Sequence, residues 1–139
     1  MSEQVRFGDP KWVERETSEP QWPAFDRALS MVSNPERRAI LRVLYGQTKH
    51  LGFADVKRQV QEYRVNGRIS PSSLSGFLKE LAQYGLVIRD NSDNYRISLT
   101  GSHFLAAYDT VRQVLSSDFE EAMKAKAEEM FLPITDKQS

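Results

Sequence analysis

The chain contains no cysteine. Disulfides, thiolate metal sites and thiol-based redox sensing are therefore excluded. It carries no net charge, because 19 Lys and Arg balance 19 Asp and Glu. There is no global basic field to attract nucleic acid, so such a partner would have to meet a local surface. Histidine is scarce: His50 reads as a connector residue and His103 as a helix-start residue, not as metal ligands. No apolar run approaches the roughly 18 residues that span a membrane. Met1-Ser2-Glu3-Gln4 has none of the apolar character of a signal peptide. The expectation is a cytoplasmic protein without membrane contact. No phosphate-cradling glycine loop and no catalytic grouping of side chains is visible. The chain does not read as an enzyme, and no metal or other cofactor is expected.

What is present is a 139-residue chain, 40% hydrophobic, enough for one core. Residues 1–22 read as a polar N-terminal arm with Phe7, Trp12 and Trp22 as possible anchors. Residues 23–116 read as the folded domain, and 117–139 as a C-terminal helix and tail. A first helix should start near Pro23 with Phe25, Leu29 and Val32 on its apolar face. Asn34-Pro35-Glu36 opens a second: an N-cap, a proline at the first helical position and an acid in the first turn. Its apolar face is Ala39, Ile40, Val43 and Leu44, and Gly46 is its stop. Thr48 to Gly52 reads as a connector. Phe53, Val56, Val60 and Tyr63 recur at helical spacing and predict a third helix.

Ser70-Pro71 repeats the cap-and-proline signal. Leu74, Phe77, Leu78 and Leu81 then form the buried stripe of a fourth helix, about Pro71–Tyr84, ending at Gly85 as the left-handed residue. Leu86 to Arg89 and Tyr95 to Leu99 are β-prone and joined by the polar turn Asp90-Asn91-Ser92-Asp93-Asn94, which predicts a hairpin. Thr100 reads as the cap of a fifth helix with Phe104, Leu105, Tyr108, Val111 and Leu115 on one face. Ser116-Ser117-Asp118 reads as a break before a last helix, about Phe119 to Phe131, ending at Pro133. The expected class is mainly α with a small β-hairpin.

The run Leu74-Ser75-Gly76-Phe77-Leu78-Lys79-Glu80-Leu81, then Tyr84-Gly85-Leu86-Val87, resembles the recognition helix and its exit in winged helix-turn-helix regulators of the ArsR and MarR type. Tyr95-Arg96-Ile97-Ser98-Leu99-Thr100 is similar to the strand that ends their wing. Asn34 to Leu41 more weakly resembles the opening helix of ArsR-like domains. The resemblance covers roughly residues 24–115. It implies a winged helix-turn-helix with an N-terminal arm and extra C-terminal helices. It implies binding of double-stranded DNA, the fourth helix lying in the major groove. It also implies a homodimer, to which Phe104, Tyr108, Val111, Leu115 and Phe119 would contribute. The metal-sensing members use cysteines, so that property does not transfer.

The charge distribution supports a phosphate-facing side. Residues 36–68 hold eight basic against three acidic side chains, a net of +5, while 118–139 hold three against six. Ser72, Ser73, Gly76, Lys79 and Gln83 fall on the open side of the fourth helix. Hydroxyls, Gln and Lys suit base edges and phosphates, and Gly76 permits close backbone approach. Arg58, Arg64 and Arg68 lie beside that helix, and Arg89 and Arg96 flank the hairpin tip. Asp90 and Asp93 at the tip repel phosphate and favour an alternative, a winged-helix protein–protein interaction module in a larger assembly. Nothing in the residues specifies a small-molecule effector.

Overall fold

The structure is a computed structural model that describes residues 21–63 and 67–136, with side chains for 22–63 and 67–130. The arm over residues 1–20 and the turn residues 64–66, Arg64 among them, lie outside the described residues. The order is α1 (Gln21–Ser33), α2 (Pro35–Tyr45), β1 (Leu51–Gly52), α3 (Phe53–Tyr63), α4 (Pro71–Gln83), β2 (Val87–Arg89), β3 (Asn94–Ile97) and α5 (Leu99–Asp136). The described residues are mostly helical, with one three-stranded antiparallel sheet of order β1-β3-β2. This arrangement is consistent with a winged-helix fold.

The chain forms two compact units, one running to Leu105 and the other from Ala106. In the first, α2 supplies the centre of the core: Ile40, Leu41 and Leu44 are fully buried. Val32, Val56, Val60, Leu74, Leu78, Leu81 and Leu86 close around them. Asn34 caps α2 as its sequence predicts, its side chain accepting from the N–H groups of Glu36 and Arg37, both at 3.1 Å. Gly46 follows the last helical residue in an ordinary right-handed conformation.

Several expectations need correction. Phe25 and Leu29 of α1 are exposed, and the core side is Ala28, Met31 and Val32. Four-residue spacing marks a face without saying which neighbour covers it. Tyr63 is likewise exposed. The connector contains a strand: Leu51 pairs with Tyr95 and Gly52 with Asn94. Two residues are too short a stretch to show alternation, so the strand leaves no pattern in the sequence. The hairpin turn is one residue shorter than expected, because Asn94 already pairs in β3.

The cap of α5 is Ser98 and not Thr100. The Ser98 hydroxyl accepts from the Gly101 N–H at 2.8 Å and donates to the Gly85 carbonyl. Thr100 lies inside the helix. One hydroxyl therefore ties the exit of α4 to the start of α5. Gly101 is required beside it, since a Cβ there would collide with the Leu86 carbonyl oxygen.

The expected pair of C-terminal helices is one 38-residue helix. Ser116, Ser117 and Asp118 do not break it. Ser and Asp cost only about 0.5 kcal/mol each against Ala inside a helix, and no Gly or interior Pro stands nearby to end it. The helix also runs past Pro133, which removes one ladder bond without stopping it. The second unit, taken alone, is this helix from Ala106 onward. Val111, Leu115, Phe119 and Met123 are all exposed along it.

Candidate nucleic-acid interface

Helix α4 is fixed at its start, along one side and at its end. Ser70 caps it, accepting from the Ser73 N–H at 3.1 Å, with Pro71 at the first helical position. Leu74, Leu78 and Leu81 anchor its inner side in the core. Gly85 ends it with φ of 76°, the left-handed value expected of that position. The approach is also held. Gln61 of α3 donates to the Gly67 carbonyl at 2.9 Å and accepts from the Ile69 N–H at 3.0 Å. One amide thus clamps both sides of Arg68.

The outer side of α4 is polar and small. Ser72, Ser73, Gly76, Lys79 and Gln83 are all exposed, as the spacing of the leucines requires. At 100° per residue, Ser72, Gly76, Lys79 and Gln83 form the centre of that face. Ser75 is also exposed and lies closer to this centre than Ser73, so it joins the candidate residues on the same periodicity that places the others. The Ser73 hydroxyl accepts from Ser70 at 2.8 Å, which assigns it first to the helix start. At Gly76 an added Cβ would meet nothing within 4 Å, so the chain itself does not need glycine there.

The arginines preceding this face are less available than their number suggests. Arg37 directs Nε and Nη2 to Glu80 Oε2 of α4 at 3.0 and 2.8 Å and stacks 4.6 Å above the Phe77 ring. Phe77, expected in the buried stripe, is half-buried under that guanidinium. Arg38 donates to the carbonyls of Val32 and Ser33, both at 3.1 Å. Arg58 lies between Asp55 and Glu62 at 3.5 and 3.9 Å, an exposed pairing of little energy. Arg68, Lys79 and Arg96 are exposed and make no ion pair among the described residues.

The hairpin divides by face. Register places Val87, Arg89, Tyr95, Ile97 and Leu51 on one side of the sheet, and Ile88, Arg96, Asn94 and Gly52 on the other. Arg96 therefore points outward beside the exposed Ile88. Arg89 is engaged by Asp93, with Nε to Oδ1 at 2.9 Å and Nη2 to Oδ1 at 2.6 Å. That hydrogen bond, and then the Asp93 charge, raise its pKa further above the ordinary value. Asp90 accepts from the N–H groups of Asn94 at 3.0 Å and Ser92 at 2.8 Å. The Asn94 bond is the larger cause holding its carboxyl below the usual range. Asp93 itself takes a positive φ of 59°, which Asp tolerates better than most residues.

Among the described residues no group of three or more His, Asp or Glu is placed to hold a metal ion. No described helix is long and apolar enough to cross a membrane. No family model and no curated protein matches the chain. Among solved structures it is similar to ligand-free NadR, with 20% identity and a TM-score of 0.40, over 95% of this chain and 100% of that one. It is similar also to NadR in complex with 4-hydroxyphenylacetate, with 21% identity and a TM-score of 0.41, over 93% and 98%. Likeness this loose carries no argument about function, which rests on the residues described above.

Proposed function

We propose that this chain is a cytoplasmic, sequence-specific double-stranded DNA-binding regulator of transcription. In this reading it has a winged-helix form, with α4 in the major groove and the hairpin as its wing. One observation carries the reading: α4 is anchored by three buried leucines and presents an outer face of Ser72, Gly76, Lys79 and Gln83. That face offers donors and acceptors suited to base edges, and its glycine lets the backbone approach. Arg68, at the entry to the helix, and Arg96, on the outer side of the hairpin, add cations that make no ion pair among the described residues. Arg58 is exposed enough to exchange its surface pairs for phosphate, while Arg89 is committed to Asp93.

The reading includes a homodimer, since two recognition helices one turn apart multiply the affinity of a single weak one. Tyr108, Val111, Leu115 and Phe119 of the second unit would meet a second copy, with Phe104 contributing from the first. Phe104 already meets Phe25 at 5.4 Å between ring centroids.

The test is binding to random-sequence and genomic duplexes as salt is varied. Enrichment of a palindromic site with a steep salt dependence supports the proposal. Replacing Lys79 and Arg68 together by Ala should weaken binding and reduce the salt slope by about one for each phosphate left without its cation. An unchanged slope in that folded variant would sink the assignment. The hairpin tip, where Arg89 is committed to Asp93 and Asp90 keeps its negative charge, and the exposed Ile88 favour a second reading, a winged-helix module that docks on another protein. No DNA binding at low salt would decide for it.

A further inference from the structure

The exposed apolar stripe of the second unit has a symmetry of its own. At 100° per residue, Tyr108, Val111, Leu115, Phe119, Met123 and Lys126 fall on one side of α5. Their spacings are three, four, four, four and three, the same read in either direction about Ser117. Val111, Leu115, Phe119 and Met123 are 46–64% exposed. A groove of 430 Å³ lies along it between Tyr108 and Glu120.

We propose that two copies of this chain pair antiparallel along residues 108–126, about a two-fold axis at Ser117. The proposal rests on the homodimer reading above and specifies its geometry. Antiparallel pairing seats Leu115 against Phe119 of the second copy and Val111 against Met123. It places the Lys126 ammonium at the Tyr108 ring, where a cation is favoured. On one flank of the stripe a charge pair also complements itself across the axis: Arg112 comes near Glu120 of the second copy. A parallel pair in register would set Lys126 against Lys126 in the seam, with like charges opposed. The apolar stripe supplies attraction in either orientation; Lys126 and the Arg112–Glu120 pair favour the antiparallel one.

The chain has no cysteine, so orientation can be read by introduced pairs. Full-length V111C and M123C are oxidised separately and as a refolded mixture, then resolved without reductant. The antiparallel pair brings position 111 beside 123 of the second copy. It separates 111 from 111 by about 18 Å along the axis, far beyond the roughly 7 Å between Cα atoms that a disulfide spans. The expected result is a covalent dimer in the mixture and monomers in each variant alone. A covalent dimer in either variant alone, or none in the mixture, overturns the proposal. Sedimentation and salt-dependent DNA binding of the unmodified chain are measured alongside. A non-covalent dimer that binds DNA but gives no mixed disulfide defeats the geometry and leaves the functional reading standing.

Discussion

Helices α2 and α4 begin alike, with a capping side chain followed by proline, and they end in different roles. Helix α2 holds three arginines and four buried aliphatic residues. Two of those arginines are turned back onto the protein: Arg37 onto Glu80 and Phe77, Arg38 onto two carbonyls of α1. Helix α4 carries a single cation, Lys79, and it faces outward with no ion pair among the described residues. The helix richer in positive charge is the scaffold, and the poorer one presents the open polar face. A charge count along the sequence therefore measures supply and not availability, because guanidinium groups also serve as internal clasps.

The largest effect should come from the scaffold. Leu41 is fully buried, and Leu41→Ala should cost about 2–5 kcal/mol, from forfeited transfer energy and a cavity the helix cannot close. Denaturant unfolding checks this. Ser72→Ala, on the outer face of α4, should stay within about 0.5 kcal/mol. Comparable losses at the two positions would erase the contrast between the helices.

Next in size is the clasp that joins them. Arg37→Ala removes both bonds to Glu80 and the stack over Phe77. Arg37 is mostly buried but Glu80 is about one-third exposed, so solvent screens part of the pair. A loss of about 1–2 kcal/mol is expected. A double-mutant cycle with Glu80→Gln separates the ion pair from the stacking. Additive losses would mean that the two groups are neighbours without coupling.

The outer face of α4 is legible in the sequence because one rule determines it: three leucines at helical spacing leave only the residues between them for solvent. The caps at Asn34 and Ser70 and the left-handed Gly85 are legible for a similar reason, since each is local chemistry within four residues. The Arg37 clasp is not, because Glu80 lies 43 residues away and no periodicity links them. Strand β1 is hidden by its two-residue length. The exposure of Phe25 and Leu29 is hidden by a related gap: spacing marks a face, and only the fold says what lies against it. The continuity of α5 is concealed because Ser-Ser-Asp suits a cap as well as an exposed helical turn.

Gly76 offers a sharper test, since stability and binding should move in opposite directions. Its conformation is helical and the space around it is open. Gly76→Ala should stabilise the helix by about 1 kcal/mol, read as a rise of a few degrees in the melting temperature. On the proposed reading, the methyl group stands between the helix and the groove floor, and DNA affinity falls. A more stable variant with undiminished affinity would remove the glycine from the interface and shift the weight to Lys79 and Gln83.

The smallest effect separates the hairpin from α4. The Asp90 carboxylate accepts two N–H groups of its own turn, and these bonds favour the ionised form. Its pKa in the folded chain is lowered from the ordinary 3.8, chiefly by the Asn94 N–H. A depressed folded pKa means that this carboxylate supports the turn above the unfolded value. The support disappears as pH falls through the folded one. The amide resonances of Ser92 and Asn94 should therefore shift together on acidification with a midpoint below 3.8, and Asp90→Asn should abolish the transition. The amides around Lys79 should not follow it, because α4 is held by leucines and by the Ser70 cap and makes no bond to Asp90. A midpoint at or above the ordinary carboxylate value would show that the two N–H bonds do not hold the turn in solution. A joint transition in α4 would show that the hairpin and the helix answer to one titrating group.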